Sequence, residues 1–177
     1  MIRRHDEVAF MGGAHVFPGG RLEEGEDHAA AAVRELAEEA GITLSADALT
    51  PFARWVTPDI EAKRYDVLFF AARAPEHQEA THDAHEAVES VWIRPADALD
   101  RCRRGDIALP PPTWTTLRTL ERFDSVDGVL AWARTREVVP VQPAFTTLDG
   151  VGTLVMPDVV TSERRFVLKD GRWQPES

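Results

Sequence analysis

Cysteine is nearly absent from this chain. The single Cys102 rules out an internal disulfide and makes a reducing cytoplasm the expected compartment. No nucleophile signature surrounds Cys102, so its expected role is that of a small residue on a helix. Long hydrophobic runs are missing too: no apolar stretch approaches the roughly 20 residues needed to span a bilayer. Repeats and low-complexity linkers are lacking. Positive charge is the remaining shortage, with 20 Lys and Arg against 30 Asp and Glu, for a net charge of −10. A general nucleic-acid binder is usually basic, so neither nucleic acid nor membrane is an expected partner. An acidic protein still binds a polyanion when a cation stands between them. Clustered carboxylates are therefore the place to look.

What is present is ordinary globular material: 177 residues, 44% hydrophobic, enough for one domain with a sizeable core. Residues 5–21 read as a strand end, a glycine-rich turn and the Phe17-Pro18-Gly19-Gly20 loop. A helix is predicted over 27–40, with Asp27 as N-cap and Gly41 at the C′ position. Strands are predicted over 51–57, 64–72 and 87–93, and a short helix over 95–103. Pro110, Pro111 and Pro112 open a helix over 113–123, and 126–135 reads as another. Beyond Val138 the pattern is short strands and turns, with Asp149-Gly150 and Asp170-Gly171 as hairpin turns. Mixed strands and helices imply a layered α/β or α+β domain.

The stretch Gly20–Ile42 carries the chemistry. At about 100° per residue, Glu35, Glu38 and Glu39 stand at i, i+3 and i+4 and share one helix face. Ala29, Val33, Leu36 and Ala40 form an apolar stripe expected to pack on a sheet. Neighbouring anions repel: two charges about 6 Å apart cost roughly 3 kcal/mol at an effective dielectric near 20. A bound Mg²⁺ or Mn²⁺ reverses that sign, and hard cations prefer carboxylate oxygens while recruiting substrate phosphates. Taken alone, such a pattern is more often a solvated acidic face.

The wider spacing is far more specific. Gly20, Glu26, Arg34-Glu35-Leu36, Glu38-Glu39, Gly41 and Ile42 reproduce GX5EX7REUXEEXGU in full. Seven fixed identities at about 7% each give a chance match of order 10⁻⁸ at a given start. The chain resembles the Nudix hydrolases on these residues. That resemblance implies an α/β/α sandwich with a mixed β-sheet and a catalytic loop–helix–loop, acting on a small-molecule nucleotide. It implies Glu35, Glu38 and Glu39 as catalytic metal ligands, joined by the Gly20 carbonyl, with Mg²⁺ or Mn²⁺ as cofactor. Arg34 and Glu26 are expected to support the loop–helix–loop, Arg34 by pairing with a carboxylate.

Flanking strings point further. Gly13-Ala14-His15-Val16-Phe17-Pro18-Gly19-Gly20, Trp55–Pro58, Arg64-Tyr65-Asp66 with Phe69-Phe70, and Leu109–Thr113 are similar to the coenzyme A diphosphatase branch that includes a mammalian peroxisomal enzyme. Each string has a plainer reading, as core or as the start of a helix. The first-choice substrate is thus coenzyme A or an acyl-CoA, yielding 3′,5′-ADP and 4′-phosphopantetheine. ADP-ribose, NADH or a nucleoside diphosphate sugar is the alternative, and a nucleotide-sensing module without activity comes third. Phe17, Arg34 and Arg64 are the candidate substrate contacts, and a homodimer is allowed for. Glu86 is the candidate extra catalytic carboxylate, equally readable as a solvated edge glutamate. His82 and His85 read as solvent-facing, and the Arg101, Arg103, Arg104 cluster as a helix-end complement to the dipole.

Residues 1–137 are expected to form the Nudix domain and 138–177 a β-rich extension on it. Only Met1-Ile2 precede the Arg3-Arg4 pair, so the first strand is expected to be cut short and the natural chain to extend upstream. An extended chain that is no more stable or active than this one would remove that expectation.

Glu38→Gln or Glu39→Gln is expected to abolish most hydrolysis while leaving the fold intact. Each removes a charge from the shared face without changing shape. Near-native kcat at saturating Mg²⁺ in both variants would contradict the assignment.

Overall fold

Local chemistry starts and stops the elements much where the sequence places them. The computed structural model describes residues 1–5, 12–60, 63–78, 80, 87–157 and 164–176. Helix α1 (His28–Ala40) begins at Asp27, whose carboxylate accepts from the Ala30 N–H, and ends at Gly41 in the left-handed region. Helices α2 (Pro95–Arg103) and α3 (Pro111–Leu120) both carry proline in the first turn, where a missing N–H costs nothing. Helix α4 (Val126–Thr135) is capped by Ser125, which accepts from the Gly128 N–H.

Among the described residues the strands form three small sheets. Strand β1 (Ile2–Arg4) lies between β2 (His15–Val16) and β5 (Ala87–Ser90), antiparallel to both. Strand β5 ends at Ser90, short of the predicted Ile93, and Trp92 beyond it is exposed. Strand β3 (Thr50–Val56) pairs antiparallel with β4 (Asp66–Ala71) and parallel with β6 (Pro140–Val141). Phe52 and Trp55 are an odd number of residues apart on β3 and serve different layers. Phe52 meets Trp132 of α4, while Trp55 enters the main core with Leu99, Trp114 and Leu117. Helices thus flank strands in a mixed α/β/α sandwich, as expected.

The C-terminal strands β7 (Ala144–Leu148), β8 (Val151–Val155), β9 (Arg165–Lys169) and β10 (Arg172–Glu176) form an antiparallel meander. Its turns at Asp149-Gly150 and Asp170-Gly171 have positive φ at both residues, as two-residue hairpins matching the strand twist require. Leu154, Met156 and Phe166 lie in the same buried cluster as Trp55, Leu99 and Trp114. Residues on both sides of position 138 therefore share one core, and β6 joins the sheet of β3.

Phe166 is fully buried. Its replacement by alanine is expected to cost about 3–5 kcal/mol, out of a net stability of about 5–15 kcal/mol. Because the core is shared, the loss should shift one cooperative urea transition followed by tryptophan fluorescence. A separate early transition would show instead that residues 138–177 unfold alone.

Candidate active site

The helix α1 and the loop before it are clamped together by side chains of both. The Gly19 N–H donates to Glu39 Oε2 at 2.7 Å. Arg34 is the hub. Its Nε and Nη2 donate to the two oxygens of Glu26 at 2.9 and 3.0 Å, a planar fork on a carboxylate. Nη2 also reaches the Arg21 carbonyl at 2.8 Å, and Nη1 donates to Glu35 at 2.9 Å and Glu38 at 3.1 Å. Glu26 in turn accepts from the Glu23 N–H at 2.9 Å. Arg34 thus pairs with carboxylates as expected, and all three of its nitrogens donate to chain groups, in place of the substrate contact also expected of it.

This geometry corrects the expectation of one exposed acidic face. The side chains of Glu38 and Glu35 are 57% and 12% exposed, whereas residue Glu39 is only 6% exposed. The loop closes over Glu39, which the helical wheel does not register. The apolar stripe is also displaced. Ala31 and Ala40 are buried, while Ala29, Val33 and Leu36 are only partly covered.

A Cβ at Gly20 would meet the Glu35 carboxylate, so a side chain there would displace that carboxylate from its contact with Arg34. Carboxylates and backbone carbonyls are hard oxygen donors, the type that suits Mg²⁺ or Mn²⁺. Among the described residues, however, no three acidic, histidine or cysteine side chains converge closely enough to enclose a cation. Glu38 is turned to Arg34, and Glu39 to Gly19. The donors fit in kind, and their present partners are internal.

The candidate substrate contacts border this clamp unequally. Arg21 reaches the Tyr65 hydroxyl at 3.4 Å and lies over its ring, so the loop meets the turn between β3 and β4. Arg64, on that turn, is half-exposed and paired with Asp59 at 2.7 Å. Phe17 sits edge-on to Phe69 and packs against the core. Glu86, His82 and His85 lie outside the described residues. Arg103 pairs with Asp100 and covers Trp114, and Arg104 pairs with Asp106, a plainer use than ligand binding. Cys102 is half-buried, and burial raises its thiol pKa. Sequence reading passed over His15, which proves to be buried. A polar residue between Ala14 and Val16, on an otherwise apolar strand, was the available signal.

The NUDIX domain model matches residues 1–112 of the 177. The chain belongs to the Nudix family. The Caenorhabditis elegans protein "Putative nudix hydrolase 7" is 24% identical, over 89% of this chain and 67% of its own length. The crystal structure of a NUDIX hydrolase from Alicyclobacillus acidocaldarius shares the fold. It has a TM-score of 0.62 at 21% identity, over 73% of this chain and 86% of that one. This Nudix protein is accordingly a hydrolase of diphosphate linkages in small molecules, from a family that generally uses divalent metal ions. Among the described residues no helix is long and apolar enough to cross a membrane.

The clamp has a pH signature. The Arg34 hydrogen bonds, then the Glu23 N–H, hold the Glu26 carboxyl at about 2, below its ordinary value. A depressed folded-state pKa stabilises the fold above the unfolded value and loses that contribution as pH falls through the folded one. Glu26 should therefore remain ionised at pH 3 by ¹³C carboxylate NMR. Replacing Arg34 with Gln should raise Glu26 toward the ordinary range, leaving only the Glu23 N–H to lower it. A Glu26 that titrates normally in the native protein would show the fork is not formed.

Proposed function

We propose that this Nudix hydrolase cleaves a nucleoside diphosphate linked to a second moiety, with coenzyme A or an acyl-CoA as first-choice substrate. The products are 3′,5′-ADP and (acyl-)4′-phosphopantetheine. The observation that carries the reading is the clamp in which Arg34 ties Glu35 and Glu38, and the Gly19 N–H ties Glu39, on one helix with Gly20 packed against Glu35. The three glutamates and the Gly20 carbonyl would hold Mg²⁺ or Mn²⁺, which when bound supplies charge neutralisation for the diphosphate and activation of water. Glu39 and Glu35 are held by Gly19 and Arg34, and a cation would draw them from those partners. Glu38 is exposed and can exchange its Arg34 contact for another cation. Glu86 is the proposed additional catalytic carboxylate.

The chain's other groups act by placing the substrate. Arg64, on the turn that meets the loop through Tyr65 and Arg21, is the proposed cation for a substrate phosphate. Phe17, anchored on Phe69, offers a partly exposed ring beside the loop. A cytoplasmic location fits the lone thiol, and a homodimer fits the reading without being required by it. Residues 138–177 are proposed as an extension that completes the core of the domain.

The favoured alternative substrate is ADP-ribose, NADH or a nucleoside diphosphate sugar. A substrate panel with Mg²⁺, read by mass spectrometry, separates these readings. Free CoA is expected to give 3′,5′-ADP and 4′-phosphopantetheine, and chelation to stop turnover. Inert CoA and acyl-CoAs beside rapid ADP-ribose turnover would replace the substrate assignment. No turnover of any diphosphate with metal present would favour a sensing module.

A further inference from the structure

Outside the clamp, the ends of α3 and α4 bring two arginines to one aromatic cluster. Trp132 of α4 stands 5.2 Å from Phe123 and 6.0 Å from the buried Phe52 of β3. Arg136, at the end of α4, lies over the Trp132 ring with Cζ 4.4 Å from its centre. Arg122, shortly after α3, lies 5.9 Å from the same centre and 5.6 Å from that of Phe123. Among the described residues this is the one place where two guanidiniums share a ring. The face of an indole attracts a cation. A second cation beside the first adds a repulsion that the ring does not remove.

No carboxylate relieves that repulsion. Among the described residues neither Arg122 nor Arg136 has an ion-pair partner. Glu121 pairs with Arg118 and Asp127 with Arg73, while the exposed Asp124 and Glu137 form no ion pair. Acids are not scarce, since the chain carries 30 of them against 20 Lys and Arg. Partial burial, chiefly, lowers the Arg136 pKa, and Arg122 adds to the effect. The donors left over define the ligand. Arg122 gives its Nε to the Thr119 carbonyl at 3.2 Å, which leaves both Nη groups. Arg136 makes no hydrogen bond among the described residues, and both side chains belong to exposed residues. A guanidinium laid over a ring keeps its N–H groups in its own plane, where an oxyanion can take two of them. Arg136, Phe123 and Phe52 already surround the indole, so recognition rests on charge and not on the stacking of a base. A phosphate dianion has the oxygens and the charge to serve both guanidiniums, whereas a carboxylate neutralises only one.

We propose that Arg122 and Arg136, set on the Trp132 ring, form a binding site for a small phosphate, either the inorganic ion or a phosphate monoester. The site shares no residue with the carboxylate clamp, and it does not rest on the proposed diphosphatase activity.

The test titrates the full chain with inorganic phosphate, without divalent metal and at an ionic strength held constant with sodium chloride. It follows the arginine Nε–Hε signals by ¹⁵N NMR. Those of Arg122 and Arg136 are assigned by their loss in Arg122→Gln and Arg136→Gln. Both should shift saturably with one shared Kd in the millimolar range, while Arg73, paired with Asp127, should not. Arg136→Gln removes a charge-assisted contact from an exposed position and should weaken the binding read at Arg122 roughly tenfold. Arg136→Lys keeps the charge without the planar fork and should restore part of the affinity. AMP in place of phosphate separates the sources: an equal Kd admits monoesters, and a response to phosphate alone identifies the free ion. Unsaturable shifts, unequal Kd values at the two arginines, or an unchanged Kd in Arg136→Gln overturn the site. Tighter binding of acetate than of phosphate overturns the phosphate assignment in favour of a carboxylate. Binding is read without turnover, so an inactive enzyme leaves the test intact.

Discussion

One guanidinium makes the acidic site possible. Without Arg34, the Glu26, Glu35 and Glu38 carboxylates would face one another across a short loop and a helix turn, each pair repelling. Arg34 lies within 3.1 Å of all three and also ties down the Arg21 carbonyl. A lysine could not reproduce this. Its ammonium is a compact point charge, whereas the planar fork offers parallel donors to Glu26 and further donors to Glu35 and Glu38. The cost of gathering anions is met by one residue inside the helix, which leaves the carboxylates in place with or without another cation.

The same residue connects local sequence to tertiary position. Eight positions separate Glu26 from Arg34, so their contact fixes the path of the loop over the start of α1. Glu39 fixes the other end through Gly19. Between them, Gly20 lies against the Glu35 carboxylate, which a side chain at that position would displace. The glycine, the two glutamates and the arginine are therefore a single packing solution. Their fixed spacing in the sequence reflects the length of chain needed to fold back on one helix.

This is why the site was more legible in the sequence than the assembly around it. Asp27, Gly41, the prolines before α3 and the two Asp-Gly turns each act within a few residues, and each did what its chemistry dictates. The placement of β1 between β2 and β5, or of β6 beside β3, depends on residues far apart in the chain and left no local mark. The helical wheel set the relative angles of Glu35, Glu38 and Glu39 correctly but misjudged their burial. An alanine-rich helix is apolar on several sides, so composition alone does not say where the loop will lie. His15 left only a faint mark, between Ala14 and Val16, for a related reason. A lone polar residue on a short strand has no period, and only tertiary packing reveals its unpaired ring.

The uneven burial of the three carboxylates bears on how the site can work. Glu39 is enclosed and bonded to backbone, and Glu35 is nearly enclosed between Gly20 and Arg34. Moving either would disrupt the loop. Glu38 is mostly in water, and its contact with Arg34 is an i,i+4 pair of a kind worth only about 0.3–0.5 kcal/mol. It can change partners at little cost, and its separation from Arg34 leaves the Glu26 fork and the Glu35 contact standing. Two fixed carboxylates with one exchangeable neighbour leave the loop and helix folded whichever partner Glu38 takes. Preorganisation and adaptability are thus divided between residues on the same turn of helix, and the division follows from which of them the loop covers.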